Sequence, residues 1–153
     1  MTGSRSSISA IHDVGVLLEI IDHLPTSVFV KNENLQFVLS NAAHCEMIGQ
    51  PPEKLLGRSD ADFWPAGQAA GFLDRDRRVL DAGQTVETVE NATNQQGETV
   101  PVFTRKSKLV MPDGKTYLIG TNTNVTELRK REEQYRALAE TVPAGIWQVR
   151  EDG

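Results

Sequence analysis

Hydrophobic residues recur along this chain with two periods. Between positions 13 and 24, Val14, Leu17, Leu18, Ile21 and Leu24 keep the i, i+3, i+4, i+7 spacing of one helical face. Val16 and Ile20 widen that stripe, and Pro25 cannot continue a helix. Two short strands are predicted next, SVFVK and LQFVLS, around an Asn32-Glu33-Asn34 turn; in the second, Leu35, Phe37 and Leu39 alternate with Gln36, Val38 and Ser40. Residues 41–65 hold apolar clusters broken by Gly49, Pro51, Pro52, Gly57 and Pro65, which predicts several one- to two-turn helices. A longer helix is predicted over 66–82, with Ala69, Phe72, Val79 and Leu80 inward and Gly83 as its stop. Strand patterns follow at 85–93, 98–110 and 115–125, the first two joined by Gln95-Gln96-Gly97 and the last two by Met111-Pro112-Asp113-Gly114. Strands in runs rather than alternating with helices place the chain in the α+β class.

A charged helix closes the pattern, TELRKREEQYRALAE, over 126–141. Asn124 with Glu127 reads as a capping box, and Glu127–Arg131 and Glu132–Arg136 as supporting i, i+4 pairs. Beyond it the sequence repeats itself. IIDHLPTSVFVKNEN aligns without a gap on LAETVPAGIWQVRED, with Pro25 on Pro143, an offset of 118 residues. The expected organisation is a flexible N-terminus (1–12), one domain over 13–125 (helix 13–24, core 26–125), an exit helix over 126–141, and the start of a truncated second copy over 142–153.

With 16 basic and 21 acidic side chains in 153 residues, the net charge is −5. That offers no basic patch for phosphates, so no nucleic-acid partner is expected. One cysteine, Cys45, supplies neither an internal disulfide nor a cysteine zinc site, and it reads as a buried structural thiol. His12, His23 and His44 lie in separate segments without metal-ligand spacing, so no metal is expected. No apolar run approaches the roughly 20 residues of a membrane span. No membrane insertion is expected, and the cytoplasm is the expected compartment.

Catalytic patterns are weak. Gly114-Lys115-Thr116 ends like a phosphate loop, but Leu109 stands where its first glycine belongs. Asp60/Asp62 and Asp74/Asp76 are two apart, a spacing that diverges on a helix, so they read as caps or surface charge rather than a paired acid and base. No Ser/His/Asp or Cys/His constellation stands out, and no enzyme activity is expected of these residues.

Laid out in order, the segments LPTSVFVKNENLQFVLSNAAHCEMIG, GRSDADFWP, RRVLDAG and NVTELRKRE resemble a PAS domain from about Leu18 to Arg131. The last segment is similar to the family's Asp-Ile-Thr-Glu-Arg-Lys exit motif, with Asn124 in place of the aspartate. The resemblance implies a five-stranded antiparallel sheet with short helices and one long helix on one face, flanked by N- and C-terminal helices. It also implies a cytoplasmic sensor or relay module of a bacterial signalling protein, acting through dimerisation and its exit helix on a downstream domain of the same chain, such as a histidine kinase of a two-component system or a diguanylate cyclase. Asn124, Thr126 and Glu127 are the expected relay residues. The alternative is a sensor enclosing a small molecule between sheet and helices. For that pocket Arg58, Asp60, Asp62, Trp64 and Asp76 are the candidates. The family's covalent flavin binders carry Asn-Cys-Arg where this chain has Ser59-Asp60-Ala61, and its haem binders take a histidine from the long helix, which here has none. No cofactor is therefore expected. A homodimer is expected through Ile8, Ile11, Val16 and Ile20, the apolar positions left over if Val14, Leu17, Leu18 and Ile21 cover the sheet.

Overall fold

The computed structural model describes residues 13–141. Helix α1 (Val14–Asp22) precedes strands β1 (Ser27–Lys31) and β2 (Phe37–Ser40), helices α2 (Ala42–Ile48) and α3 (Pro52–Leu55), and a 3₁₀ turn (Asp60–Asp62). The long helix α4 (Ala66–Ala82), strands β3 (Val86–Thr93), β4 (Thr99–Val110) and β5 (Thr116–Asn124), and helix α5 (Thr126–Thr141) complete it. The five strands form one antiparallel sheet in the order β2-β1-β5-β4-β3. This is the expected α+β architecture, with β1 brought beside β5 at the centre.

Local chemistry explains the boundaries. Asn32 Oδ1 accepts from the backbone N–H groups of Asn34 and Gln36 and closes the β1–β2 turn. Leu35, expected in the strand, lies in that turn with φ of 61°, and its side chain is nonetheless buried. β2 therefore begins two residues late. Gly83 ends α4 at φ 70°, a conformation glycine enters without steric cost. At Gly120 the reason is contact: a Cβ there would meet Cζ of Phe29 at 2.2 Å, so the ring of Phe29 can lie flat on β5 only above a glycine.

Helix α1 departs from expectation. Val14 is 67% exposed, and Leu17, Leu18, Val16 and Ile20 are exposed with it; none of its residues is buried, so it does not cover the sheet. It is fastened at its C-terminal end instead. The buried Asn41 side chain donates to the carbonyls of Ile21 and Thr26 and accepts from the N–H groups of Val28 and His44, and Asp22 accepts from the N–H of Ala42. Of the expected dimer residues, Val16 and Ile20 are surface side chains, while Ile8 and Ile11 lie outside the described residues, as does the expected second copy over 142–153. Among the described residues no helix is long and apolar enough to cross a membrane.

Candidate functional site

The inner face of the sheet is set by strand alternation. In β1 the buried positions are Ser27, Phe29 and Lys31, and in β4 they are Val102, Thr104 and Lys106. Glu90 and Ala92 of β3 and Leu118 and Gly120 of β5 are buried on the same side. Helix α4 lays Phe72, Asp76, Val79 and Leu80 over them. The alternation that places Phe29 inward thus also drives two lysines and a glutamate into the layer between sheet and helices.

They are paired there. Lys31 Nζ donates to Asp60 Oδ2 at 2.5 Å and to Asp76 Oδ2. Lys106 Nζ forms an ion pair with Asp76 Oδ1 at 2.8 Å and lies 3.9 Å from Glu90 Oε1. Arg75, half exposed at the rim, donates to Glu90 Oε1 at 2.9 Å, and the Trp64 indole N–H donates to Asp60 Oδ1 at 3.0 Å. A chain of contacts therefore runs from Trp64 through Asp60, Lys31, Asp76, Lys106 and Glu90 to Arg75. Burial alone would push the Asp76 carboxyl up, but the charges of Lys31 and Lys106 outweigh it and hold the group below the usual carboxylate range. Burial likewise favours neutral Lys31, and the two aspartates reverse that, raising the ammonium above its ordinary value. Both groups stay charged.

Beside the network is a cavity of about 30 Å³, room for one or two groups the size of water. Phe29, Trp64 and Phe72 give it aromatic walls, and His44, Lys106 and Asn122 are among the polar residues that line it. Asn122 Oδ1 is buried without a hydrogen-bond partner among the described residues. His44 stacks on Phe29 at 4.9 Å between ring centroids, and its Nδ1 is 2.6 Å from Ser40 Oγ. Burial, reinforced by the charge of Lys31, lowers its pKa to about 3, so the ring is neutral and a weak base. The Ser40–His44 contact is thus a poor start for nucleophilic catalysis. Among the described residues no cluster of three His, Cys, Asp or Glu side chains is placed to hold a metal.

Three of the five candidate pocket residues, Asp60, Trp64 and Asp76, meet in this network. Arg58 and Asp62 do not. The Arg58 side chain is exposed while its carbonyl accepts from Phe37 N–H, and Asp62 faces solvent and accepts from Ser59 N–H. The two-apart divergence explains both carboxylate pairs: Asp62 points outward where Asp60 points inward, and Asp74 pairs with Arg78 on the surface while Asp76 is buried. Reading Asp60 and Asp76 as caps or surface charge is corrected accordingly. Lys31, Lys106, Glu90 and Asn122 were not singled out from sequence, although Lys31 and Lys106 stand on inward strand positions.

At the exit, Asn124 Oδ1 accepts from both the N–H and the hydroxyl of Thr126. Glu127 does not complete a capping box: the first α-helical bond, Arg129 N–H to Val125 O, makes Val125 the cap and puts Glu127 one position early. The one ion pair seen on α5 among the described residues joins Glu127 to Lys130 at 4.0 Å, replacing both expected i, i+4 pairs.

A family model described as PAS fold matches residues 21–130. An uncharacterized protein, y4lL, of Sinorhizobium fredii is 29% identical over 88% of this chain, and a diguanylate cyclase of Vibrio cholerae is 26% identical over 80% of it. The chain spans only 17% and 39% of the lengths of these relatives. Among solved structures, the Vibrio cholerae VqmA–ligand–DNA complex superposes with a TM-score of 0.68 at 25% identity, covering 86% of this chain and 61% of that one. An RNA-binding Light-Oxygen-Voltage receptor superposes at 0.67 with 22% identity, covering 82% and 37%. Two similar folds thus occur in nucleic-acid-binding proteins, which overturns the expectation of no nucleic-acid partner. A net charge summed over 153 residues speaks for those residues alone. The match over most of the chain, on a five-stranded sheet with its helices on one face, places the protein in the PAS-fold family, and it is a sensory domain of that family.

Proposed function

We propose that this domain is a small-molecule sensor whose ligand lies between the sheet and α4, and that occupancy is passed to α5. A buried acceptor without a partner, Asn122 Oδ1, on the wall of a cavity ringed by charged and aromatic side chains, carries this reading. A filled, wholly apolar layer would have favoured a pure relay element. Ligand sites combine apolar walls with a few placed polar groups, and Asn122 Oδ1 is an acceptor with no protein partner among the described residues that a ligand donor can engage.

The route outward is short. Asn122 and Asn124 are two residues apart on β5, and Asn124 holds the first turn of α5 through Thr126. Val125 N–H donates to Pro101 O of β4, tying the same junction to the strand that carries Lys106. A ligand that moves Asn122 therefore moves the start of the exit helix. The reading includes two chains side by side, with exposed Val16 and Ile20 of α1 as the contact, and an output domain beyond α5 of which a diguanylate cyclase is one form. It includes no haem or covalent flavin, since Asp60 stands where a flavin-bonding cysteine would and α4 carries no histidine.

Mass spectrometry of small molecules released by denaturing the purified protein tests it. A compound recovered from the parent and depleted in Asn122→Leu is the expected result. Equal recovery from both proteins, or none from either, contradicts the proposal.

A further inference from the structure

The charges around the cavity also define the class of ligand, an inference that rests on the sensor reading above. Lys31, Lys106, Asp60 and Glu90 line the cavity, Asp76 and Arg75 stand behind them, and in this set of three cations and three carboxylates each carboxylate has a cation within 3.0 Å. The remaining titratable group on the wall, His44, is a neutral ring stacked on Phe29. The set is balanced before any ligand enters. An ion of either sign would therefore be an uncompensated buried charge, with no counter-charge spare to pair it. The unpartnered Asn122 oxygen adds a second requirement, an N–H or O–H on the ligand. Lys106 adds a third. Its ammonium has three N–H bonds and is held at hydrogen-bond distance by Asp76 alone, so it has donors left for an acceptor in the cavity.

We infer that the site takes a small, net-neutral polar molecule that donates to Asn122 Oδ1 and accepts from Lys106, as an amide or lactam-like group does. Size fits the same class. The cavity admits one or two heavy atoms as it stands, and Met47 on its wall, an unbranched thioether whose sulfur is 3.9 Å from Ser27 Oγ, is the side chain that yields to a ligand of three or more.

Three probes of three heavy atoms each separate the charge classes: formamide, formate and formamidinium. Each is titrated into the ¹⁵N-labelled chain while the indole N–H of Trp64, assigned with Trp147→Phe, and the side-chain amide of Asn122 are followed by NMR. Formamide should give saturable shifts at both groups, at an affinity at least ~10-fold above either ion, because each ion brings an unpaired charge into the site. In Asn122→Asp, which adds one negative charge, the preference should pass to formamidinium. In Asn122→Leu, which keeps the wall and removes the acceptor, formamide binding should weaken by ~10-fold or more, with an otherwise native spectrum showing that the fold is intact. Formate or formamidinium binding the parent as tightly as formamide overturns the neutral class and leaves the sensor reading standing. If none of the three binds and no compound is released from the purified protein, both fall.

Discussion

Toward β2, the sheet meets its helices through Phe37, Leu35, Ile48, Leu55, Phe63 and Val79, side chains without a polar atom. Toward β3, the same layer is occupied by Lys106, Glu90 and Asp76, with a much smaller apolar group of Phe72, Ala92 and Val102. The strands of both halves belong to one sheet and α4 crosses both, so a difference in architecture does not explain the contrast. It lies in which residues occupy inward positions. The apolar half is closed mainly by packing, with Lys31 and its aspartate partners along its border. In the charged half the closure depends on every group keeping its partner, and among the described residues Asn122 Oδ1 has neither a hydrogen bond nor an ion pair. A protein that needed only to hold α5 in place could have filled both halves in the same way.

The contrast breaks most sharply at Asp76. Asp76→Ala leaves Lys31 and Lys106 short of a partner in a buried layer, and should cost about 4 kcal/mol by urea unfolding, within the 3–5 kcal/mol of broken buried pairs. A loss below about 1 kcal/mol would show that water reaches these lysines and that the charged half is not sealed. In the apolar half, Leu118→Ala should cost about 3 kcal/mol through lost transfer energy and the space left behind. Its effect should be independent of pH, unlike that of the network.

The acid limb of the stability curve distinguishes the halves further. Folded His44 stays neutral down to about 3, whereas the unfolded ring takes up a proton below 6.5, so the unfolded state binds more protons between those values. Stability should therefore fall as pH drops through this window, by up to about 1.4 kcal/mol per pH unit, and His44→Phe should flatten the slope. Asp76 acts lower. Its folded carboxyl is held below its ordinary 3.8, so its contribution is complete above that value and is lost as pH falls through the folded one. The smallest expected effect is at the exit. Asn124→Ala removes the acceptor that holds Thr126 and should cost about 1 kcal/mol, seen as reduced helicity of α5 with the core intact.

Much of the frame could be read from periodicity. The limits of α4 and the three long strands follow from Gly83, the Gln95–Gly97 and Met111–Gly114 turns, and alternating burial, because each rests on short-range chemistry. Where the reading failed, a tertiary contact decided. An apolar stripe on α1 gives no sign that Asn41 fastens only its last turn, and Leu35 in a strand-like pattern gives no sign of a left-handed turn. The site was half legible for a similar reason. Asp60, Trp64 and Asp76 stand in a polar, aromatic stretch that attracts notice, but their partners Lys31 and Lys106 arrive from strands 75 residues apart. The alternation that makes Phe29 inward makes Lys31 inward as well. Lysine is rarely buried, so its residue type points outward where its strand position points inward.

The central claim is that the charged half binds and that binding reaches α5 through β5. The most direct measurement follows the Trp64 indole and the Thr126 backbone amide together while formamide is titrated into the ¹⁵N-labelled chain. The account predicts that both resonances move along one saturation curve, and that both stop responding in Asn122→Leu. A Trp64 response with Thr126 unmoved would contradict the coupling, and a Thr126 response that survives Asn122→Leu would contradict the site.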